Sequence, residues 1–424
     1  MPLYHWIMKK RSMNMKTKSI LITILVLLVS VSLIGCSVVE NSTVNAAVSS
    51  TATPNALPGE TSSDDSDAVG TTVALSSVEG SLLDISELFT ERDIEQTADL
   101  TDAIYIELSD DKTFTIDSEG VYVLKGDARN ASVIVDIDEE SKVQLVLDGV
   151  TVINESSPVI YIKSGDKVFI TTTDSLNSME VTGNFEADGD TNLDAVIFSK
   201  SDLTLNGQGT LEIVSAKANG ITSKDDLKIT GGTYVIDSYA DAIEANDSIR
   251  IYDGNITIET NKDGLHAENE EDTSLGYIYI HNGTLNITAA DDAIRATSLL
   301  QIDGGTISIP RCSEGIEGTY IQINGGDIDI YATDDGINAT AKSSYDVVIE
   351  VNGGNINVSM GSGDTDAFDS NGIIYVNGGT INIDAQSAFD ADYLAQLNAG
   401  TVYVNGQQIT QITVSMPGRA PGKR

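Results

Sequence analysis

The sequence predicts an all-β fold, a single-stranded parallel β-helix with three short strands and about 22 residues per coil. Three observations carry this. From residue 194 onwards a polar, usually acidic residue, a small residue and an apolar residue recur together. The small one stands at Ala195, Gly220, Ala242, Gly264, Ala293, Gly315, Gly336, Ala367 and Ala388. The steps are 25, 22, 22, 29, 22, 21, 31 and 21, so the base period is 21–22 and two coils carry insertions, near 269–276 and 340–345. Within each period two runs alternate apolar and polar residues, as in Ile321-Gln322-Ile323 and Ile328-Asp329-Ile330. Alternation at period two buries one face of a strand. Asn/Asp-Gly pairs such as Asn324-Gly325 stand between the runs and supply positive-φ corners. A propeller blade or an immunoglobulin-like domain needs a longer repeat with hairpins, and a leucine-rich repeat needs leucine at fixed spacing. Neither pattern is present.

In chain order, residues 1–35 read as a lipoprotein signal peptide. Lys16 and Lys18 precede an apolar run from Ile20 to Ile34, which is short for a membrane span but long enough for a signal core. Leu33-Ile34-Gly35-Cys36 matches the bacterial lipoprotein box, so Cys36 is the expected lipidation site and new N-terminus. The protein is expected on the outer face of a bacterial cell membrane, held there only by that lipid. Residues 36–80, rich in Ser, Thr, Ala and Asp, read as a flexible spacer. Residues 81–411 form the β-helix domain, with 81–190 as an N-terminal cap and early coils and 191–411 as regular coils. "LDISELFTERDIEQ" at 83–96 is read as a short capping helix over the open end, and 412–424 as a loose tail. Cys312 reads as a small core side chain, and no internal disulfide is expected.

The chain has 64 acidic and 24 basic side chains, a formal net charge of −40. Without the first 35 residues, 19 basic residues face the same 64 acidic ones. Such a balance argues against nucleic acid as a partner and calls for a cation wherever the chain meets an acidic polymer. A monomer is expected.

The surplus acid is placed regularly. Before the small anchors stand Asp194, Asn219, Asp241, Asp263, Asp292, Glu314, Asp335, Asp366 and Ser387, with Asp291 and Asp334 doubling two of them. Three residues after the acid the column continues with Glu244, His266, Arg295, Glu317, Asn338, Asp369 and Asp390. Stacked coils bring equivalent side chains within about 4.8 Å, where like charges repel by roughly 1 kcal/mol even in water. Calcium relieves this, because it takes six to eight oxygens at about 2.3–2.6 Å. The candidate ligands are Asp241, Glu244, Asp263, Asp291, Asp292, Glu314, Glu317, Asp334, Asp335, Asp366 and Asp369. The favoured clusters are Asp334 and Asp335 with Asp366 and Asp369, Asp263 with Asp291 and Asp292, and Asp241 and Glu244 with Asp263. Zinc fits poorly, since the chain has three histidines and no Cys/His spacing. A second outward column holds Lys228, Arg250 and Tyr279, two cations for a uronate carboxylate and a ring for a sugar face. Lys262 and Arg295 flank the acidic column and complete the candidate carbohydrate-binding set.

The segments "AVIFSKSDLTLNGQGTLEI" (195–213) and "NGITSKDDLKITGGTY" (219–234), with "KVQLVLDGVTVINESSPVIYIKSGDKVFIT" upstream (142–171), resemble a family of carbohydrate-binding β-helix proteins known for cellulose and acid-sugar binding. The similarity covers roughly residues 90–360. It implies a right-handed parallel β-helix related in fold to pectate lyases, calcium bound to the helix, and polysaccharide bound without cleavage. Asp366 and Asp369 are also similar to part of a pectate lyase calcium motif, from which Thr365 departs. Three functions stand open at this point. The first is a surface lipoprotein that binds polygalacturonate-like polysaccharide, and cellulose, through calcium. The second is a calcium-dependent polysaccharide lyase, for which Lys262 and Arg295 are the only base candidates and match no lyase spacing. The third is a structural adhesin or wall spacer. A binding protein without catalysis is the expected reading.

Overall fold

The structure, a computed structural model, describes Val78, residues 80–363 and residues 365–413. The signal segment, Cys36, almost all of the spacer and residues 414–424 lie outside the described residues. One coil shows how the repeat folds. Ile316–Gly318 is a short strand, Tyr320–Ile323 follows, and a corner leads into Asp327–Ala332. The chain then turns through Asp334, Asp335 and Gly336 and re-enters the short-strand position one coil on, at Ile337–Ala339. We call these positions stacks A, B and C. Each strand pairs in parallel with its counterpart one coil away: Ile337 faces Ile316, Ile349 faces Ile321, and Ile356 faces Ile328. Stack A is a twelve-stranded sheet. Stacks B and C merge into one 24-stranded sheet, because Gly120–Arg129 and Lys142–Asn154 run through the corner between them. The fold is therefore a parallel β-helix of about twelve coils. Coils begin at Ile104–Glu107, so most of the stretch expected to hold the cap is already coil. An antiparallel hairpin of Thr401–Val404 with Gln407–Ile409 ends the ladder.

The alternation does what it predicts. Ile321, Ile323, Ile328 and Ile337 are all 0 % exposed, and each such side chain contributes about 1.5–3 kcal/mol by leaving water. The corner between stacks B and C needs a left-handed residue, which Gly326 supplies at φ +99°. The asparagine ahead of it bonds coil to coil: Asn352 Nδ2 donates to Asn324 Oδ1 at 2.9 Å, Asn377 to Asn352 at 2.9 Å, and Asn398 to Asn377 at 2.8 Å.

The small anchor is set by close backbone approach at the corner from stack C to stack A. A Cβ on Gly315 would lie 2.3 Å from the Gly336 carbonyl oxygen and 2.7 Å from Ile330 Cγ2. Gly315→Ala is expected to cost about 1–3 kcal/mol by overpacking. The measurement is the urea midpoint, which should fall with its slope unchanged; an unmoved midpoint would show that the coil spacing there gives way.

The segment expected to close the open end lies elsewhere. Two four-residue helices, α1 (Ile85–Leu88) and α2 (Glu91–Ile94), belong to a strap that crosses the outer face of stack B. Asp84 caps α1, and Thr90 with Asp93 forms a capping box on α2. The reason is apolar. Ile85, Leu88 and Phe89 bury themselves on Tyr279, with Tyr252 and Tyr277 packed alongside, an aromatic patch that the helix would otherwise expose to water.

Candidate functional site

The outer face of stack A carries Phe198, Thr222, Glu244, His266, Arg295, Glu317, Asn338, Asp369 and Asp390 in strict coil-to-coil register. Along one side runs the acidic corner. Along the other run both insertions, which touch where Thr273 Oγ1 donates to Ser344 Oγ at 3.2 Å.

The corner carboxylates first serve the backbone. Asp241 Oδ1 accepts the Asp263 N–H at 3.1 Å, Asp263 Oδ1 accepts that of Asp292 at 3.0 Å, and Asp335 Oδ1 that of Asp366 at 3.0 Å. Asn219 does the same with its amide oxygen, accepting the Asp241 N–H at 3.0 Å. The position thus requires an acceptor rather than a charge. What the acids add is their second oxygen.

Those second oxygens gather in three sets whose ligand atoms all lie within 4.8 Å: Asp241, Asp263 and His266; Asp263, Asp291 and Asp292; and Asp292, Glu314 and Glu317. The first is already neutralised. Asp241 Oδ2 meets Lys262 Nζ at 3.1 Å and His266 Nδ1 at 3.1 Å, and His266 Nε2 meets Glu268 at 3.0 Å. Burial works against charge on His266, yet Asp241 and Asp263 outweigh it and raise its pKa. The other two sets are all oxygen and share Asp292. Arg295 lies 3.3 Å from Glu317, 3.6 Å from Asp263 and 3.9 Å from Asp292, and Lys342 pairs with Glu317. Two cations therefore face five carboxylates. Burial, then Glu314, Asp263, Glu317 and Asp291, push the Asp292 carboxyl far up. Burial with Glu317, Asp335 and Asp334 pushes Glu314 up to about 7, against the Asn338 hydrogen bond. Asp263 Oδ2, on a residue 0 % exposed, has no hydrogen-bond partner.

A raised carboxyl pKa means that the folded chain holds protons the unfolded chain has lost, so stability falls as pH rises through that interval. For Glu314 the window is 4.5 to about 7, worth about 3 kcal/mol nominally and about 1–2 kcal/mol once solvent screening is allowed for. Metal-free protein is expected to melt at a lower temperature at pH 8 than at pH 5, with calcium restoring more at pH 8. A flat profile between those pH values would contradict the crowding of these carboxylates.

Other expected residues are placed differently. Glu244 turns to Lys224 at 3.0 Å and to the Asn219 amide, and joins no set. Asp334, Asp335, Asp366 and Asp369 enter none of the three sets among the described residues. Asp369 is still raised to about 7 by burial and by Asp335, Asp366 and Asp390. Lys228, Arg250 and Tyr279 do stack in register, but their expected exposure is not found. The strap covers them, leaving Lys228 6 % and Tyr279 0 % exposed, while Arg250 is tied to Asp226 at 2.6 Å. Two participants were not anticipated as such. His266 is a member of a set, which its place on the stack A column signals. Lys342 is a counter-charge supplied by an insertion, for which no periodicity exists.

A sequence profile for proteins described as carbohydrate-binding domain-containing matches residues 110–367. A protein of that description from Acetivibrio thermocellus is 37 % identical over 124 residues, 28 % of this chain and 43 % of the relative. The chain therefore matches less than half of that relative's length. A solved structure of a polysaccharide lyase-like protein from C. thermocellum, as a gadolinium derivative, is 31 % identical and covers 52 % of this chain and 92 % of its own, with a TM-score of 0.45. The profile spans more than half of the chain, including most of its coils and its stacked acidic corner, and the protein belongs to the carbohydrate-binding domain family.

Proposed function

We propose that the protein binds acidic, polygalacturonate-like polysaccharide in a calcium-dependent way along the outer face of stack A. Asp263, Asp291, Asp292, Glu314 and Glu317 would hold the ion. The observation that carries this is the pair of all-oxygen carboxylate sets that share Asp292, one of which holds the buried Asp263 Oδ2, an oxygen without a hydrogen bond. His266 and Arg295 approach that oxygen only at 3.4 and 3.6 Å, without a hydrogen bond, and buried carboxylates crowded in this way are costly without further positive charge. Bound calcium would supply positive charge and open coordination positions that a uronate carboxylate can share. The chain's own residues supply the rest: Arg295 and Lys262 on the same face limit repulsion of the polyanion. Both are engaged with carboxylates, which leaves neither as a free base and favours binding over elimination. A lipid on Cys36 would hold the protein at the cell surface, and metabolic labelling with a fatty acid checks it.

Sedimentation with polygalacturonate is the test. Calcium should produce binding and excess EDTA abolish it, with no rise in ultraviolet absorbance from unsaturated products. Binding retained in EDTA would defeat the calcium role, and product formation would restore the lyase reading.

A further inference from the structure

The strap sits on a row with its own chemistry. Thr204, Lys228, Arg250, Tyr279, Gln301 and Gln322 are consecutive coil equivalents on stack B. Without the strap this row would offer a hydroxyl, two cations, a ring and two amides to the surface. The strap satisfies it as a bound chain would. Gln301 accepts the Leu83 N–H at 2.8 Å and donates to the Leu83 carbonyl at 3.4 Å, while Gln322 accepts from Leu82 N at 3.1 Å and donates to Gly80 O at 3.1 Å. These side-chain amides read donors and acceptors along an extended chain, not a particular side chain. Phe89 lies over the aromatic part of the row, 5.5 Å from Tyr252 and 6.2 Å from Tyr279 between ring centroids.

The decisive contact is Asp93. Its carboxylate is 0 % exposed and lies 3.0 Å from Lys228 Nζ and 3.2 Å from Lys167 Nζ. Arg250 has Asp226 from the coils and Lys167 has Asp202 at 3.7 Å, but among the described residues the only ion-pair partner of Lys228 is the strap's own aspartate. The coils thus set Lys167 and Lys228 side by side, with Asp202 reaching Lys167 at 3.7 Å and the strap supplying the carboxylate that meets both.

We propose that the outer face of stack B is a second, calcium-independent site for the carboxylate of an acidic sugar, and that the chain's own strap is its resident occupant. Asp93 fills the place of a uronate carboxylate between Lys167 and Lys228, and release of the strap opens the row to polysaccharide. The ligand class is shared with the function proposed above. The site is not, so the two readings fail separately when calcium is removed.

The test uses the full chain in excess EDTA with polygalacturonate as probe. Asp93→Ala removes the resident carboxylate and loosens the strap. Its sedimentation with the polymer should rise at least tenfold over the parent chain, and adding Lys228→Met should abolish the gain. Far-ultraviolet circular dichroism reports whether the coils remain folded. A folded Asp93→Ala chain with no binding in EDTA overturns the proposal, as does a gain that survives Lys228→Met. Should Asp93→Ala fail to fold, Asp93→Asn, which removes the charge but keeps the size of the side chain, takes its place, and a folded Asp93→Asn chain with no binding in EDTA overturns the proposal.

Discussion

Replacing Asp93 with alanine is expected to cost about 3–5 kcal/mol, because it leaves buried cations without their partner. Lys228 would remain under the strap with no anion beside it, and Thr204 and Lys167 would also lose an acceptor. The loss should be local. The coils from Ile104 onwards keep their ladders, whereas the amides from Leu82 to Gln96 should lose exchange protection. The parent chain should show the same weakness in acid. Burial alone would raise the Asp93 carboxyl, but the Thr90 N–H, Lys228 and Lys167 outweigh it and hold it at about 2. A depressed carboxyl pKa contributes stability above the unfolded value of 3.8, and that contribution disappears as pH falls towards 2. Strap protection that survives at pH 2 would contradict the ion pairs of Asp93 with Lys228 and Lys167.

Asp292→Asn should separate stability from calcium response by moving them in opposite directions. The substitution removes the carboxyl most crowded by Glu314, Asp263, Glu317 and Asp291, so the metal-free chain should gain about 1–2 kcal/mol. It also removes the residue common to both all-oxygen sets, and calcium affinity should fall by about 100-fold, since affinity follows ligand charge. Calorimetry with and without calcium reads both. Glu259→Gln, on an exposed outward position of stack C, serves as the control and should change neither. A variant less stable without metal would mean that Asp292 is structural in the manner of Asp241.

The coils were legible because stacking writes itself into sequence. Ile328 and Ile330 alternate with aspartate since one face is buried, and Gly315 stays small since a carbonyl lies 2.3 Å from where a Cβ would be. The acidic corner was legible for the same reason, as a column with one member per coil. Which members remain uncompensated was not. That depends on how far Lys342, Arg295 and Lys262 reach, and side-chain reach from an insertion leaves no period to read. The role of Asn219 was a visible clue, because an amide in an acidic column marks a backbone acceptor site. Residues 83–96 were legible as short helix, but their place on stack B was invisible in a stronger sense. Helices of four residues carry no helical periodicity, and their partners in the coils lie 74 or more residues away.

The direction of the strap also sets an order of events in time. Its later residues dock on early coils, with Asn206 Nδ2 donating to Glu95 O across 111 residues, whereas its earlier residues dock on late coils, Leu82 on Gln322 across 240. During synthesis or export the coils can add one by one from Ile104, each new rung templated by the last. The strap must wait, zipping backwards from Gln96 to Gly80 as successive coils arrive. The first segment of the described chain to be made is therefore expected to be the last to lock, because its contacts close the longest loops.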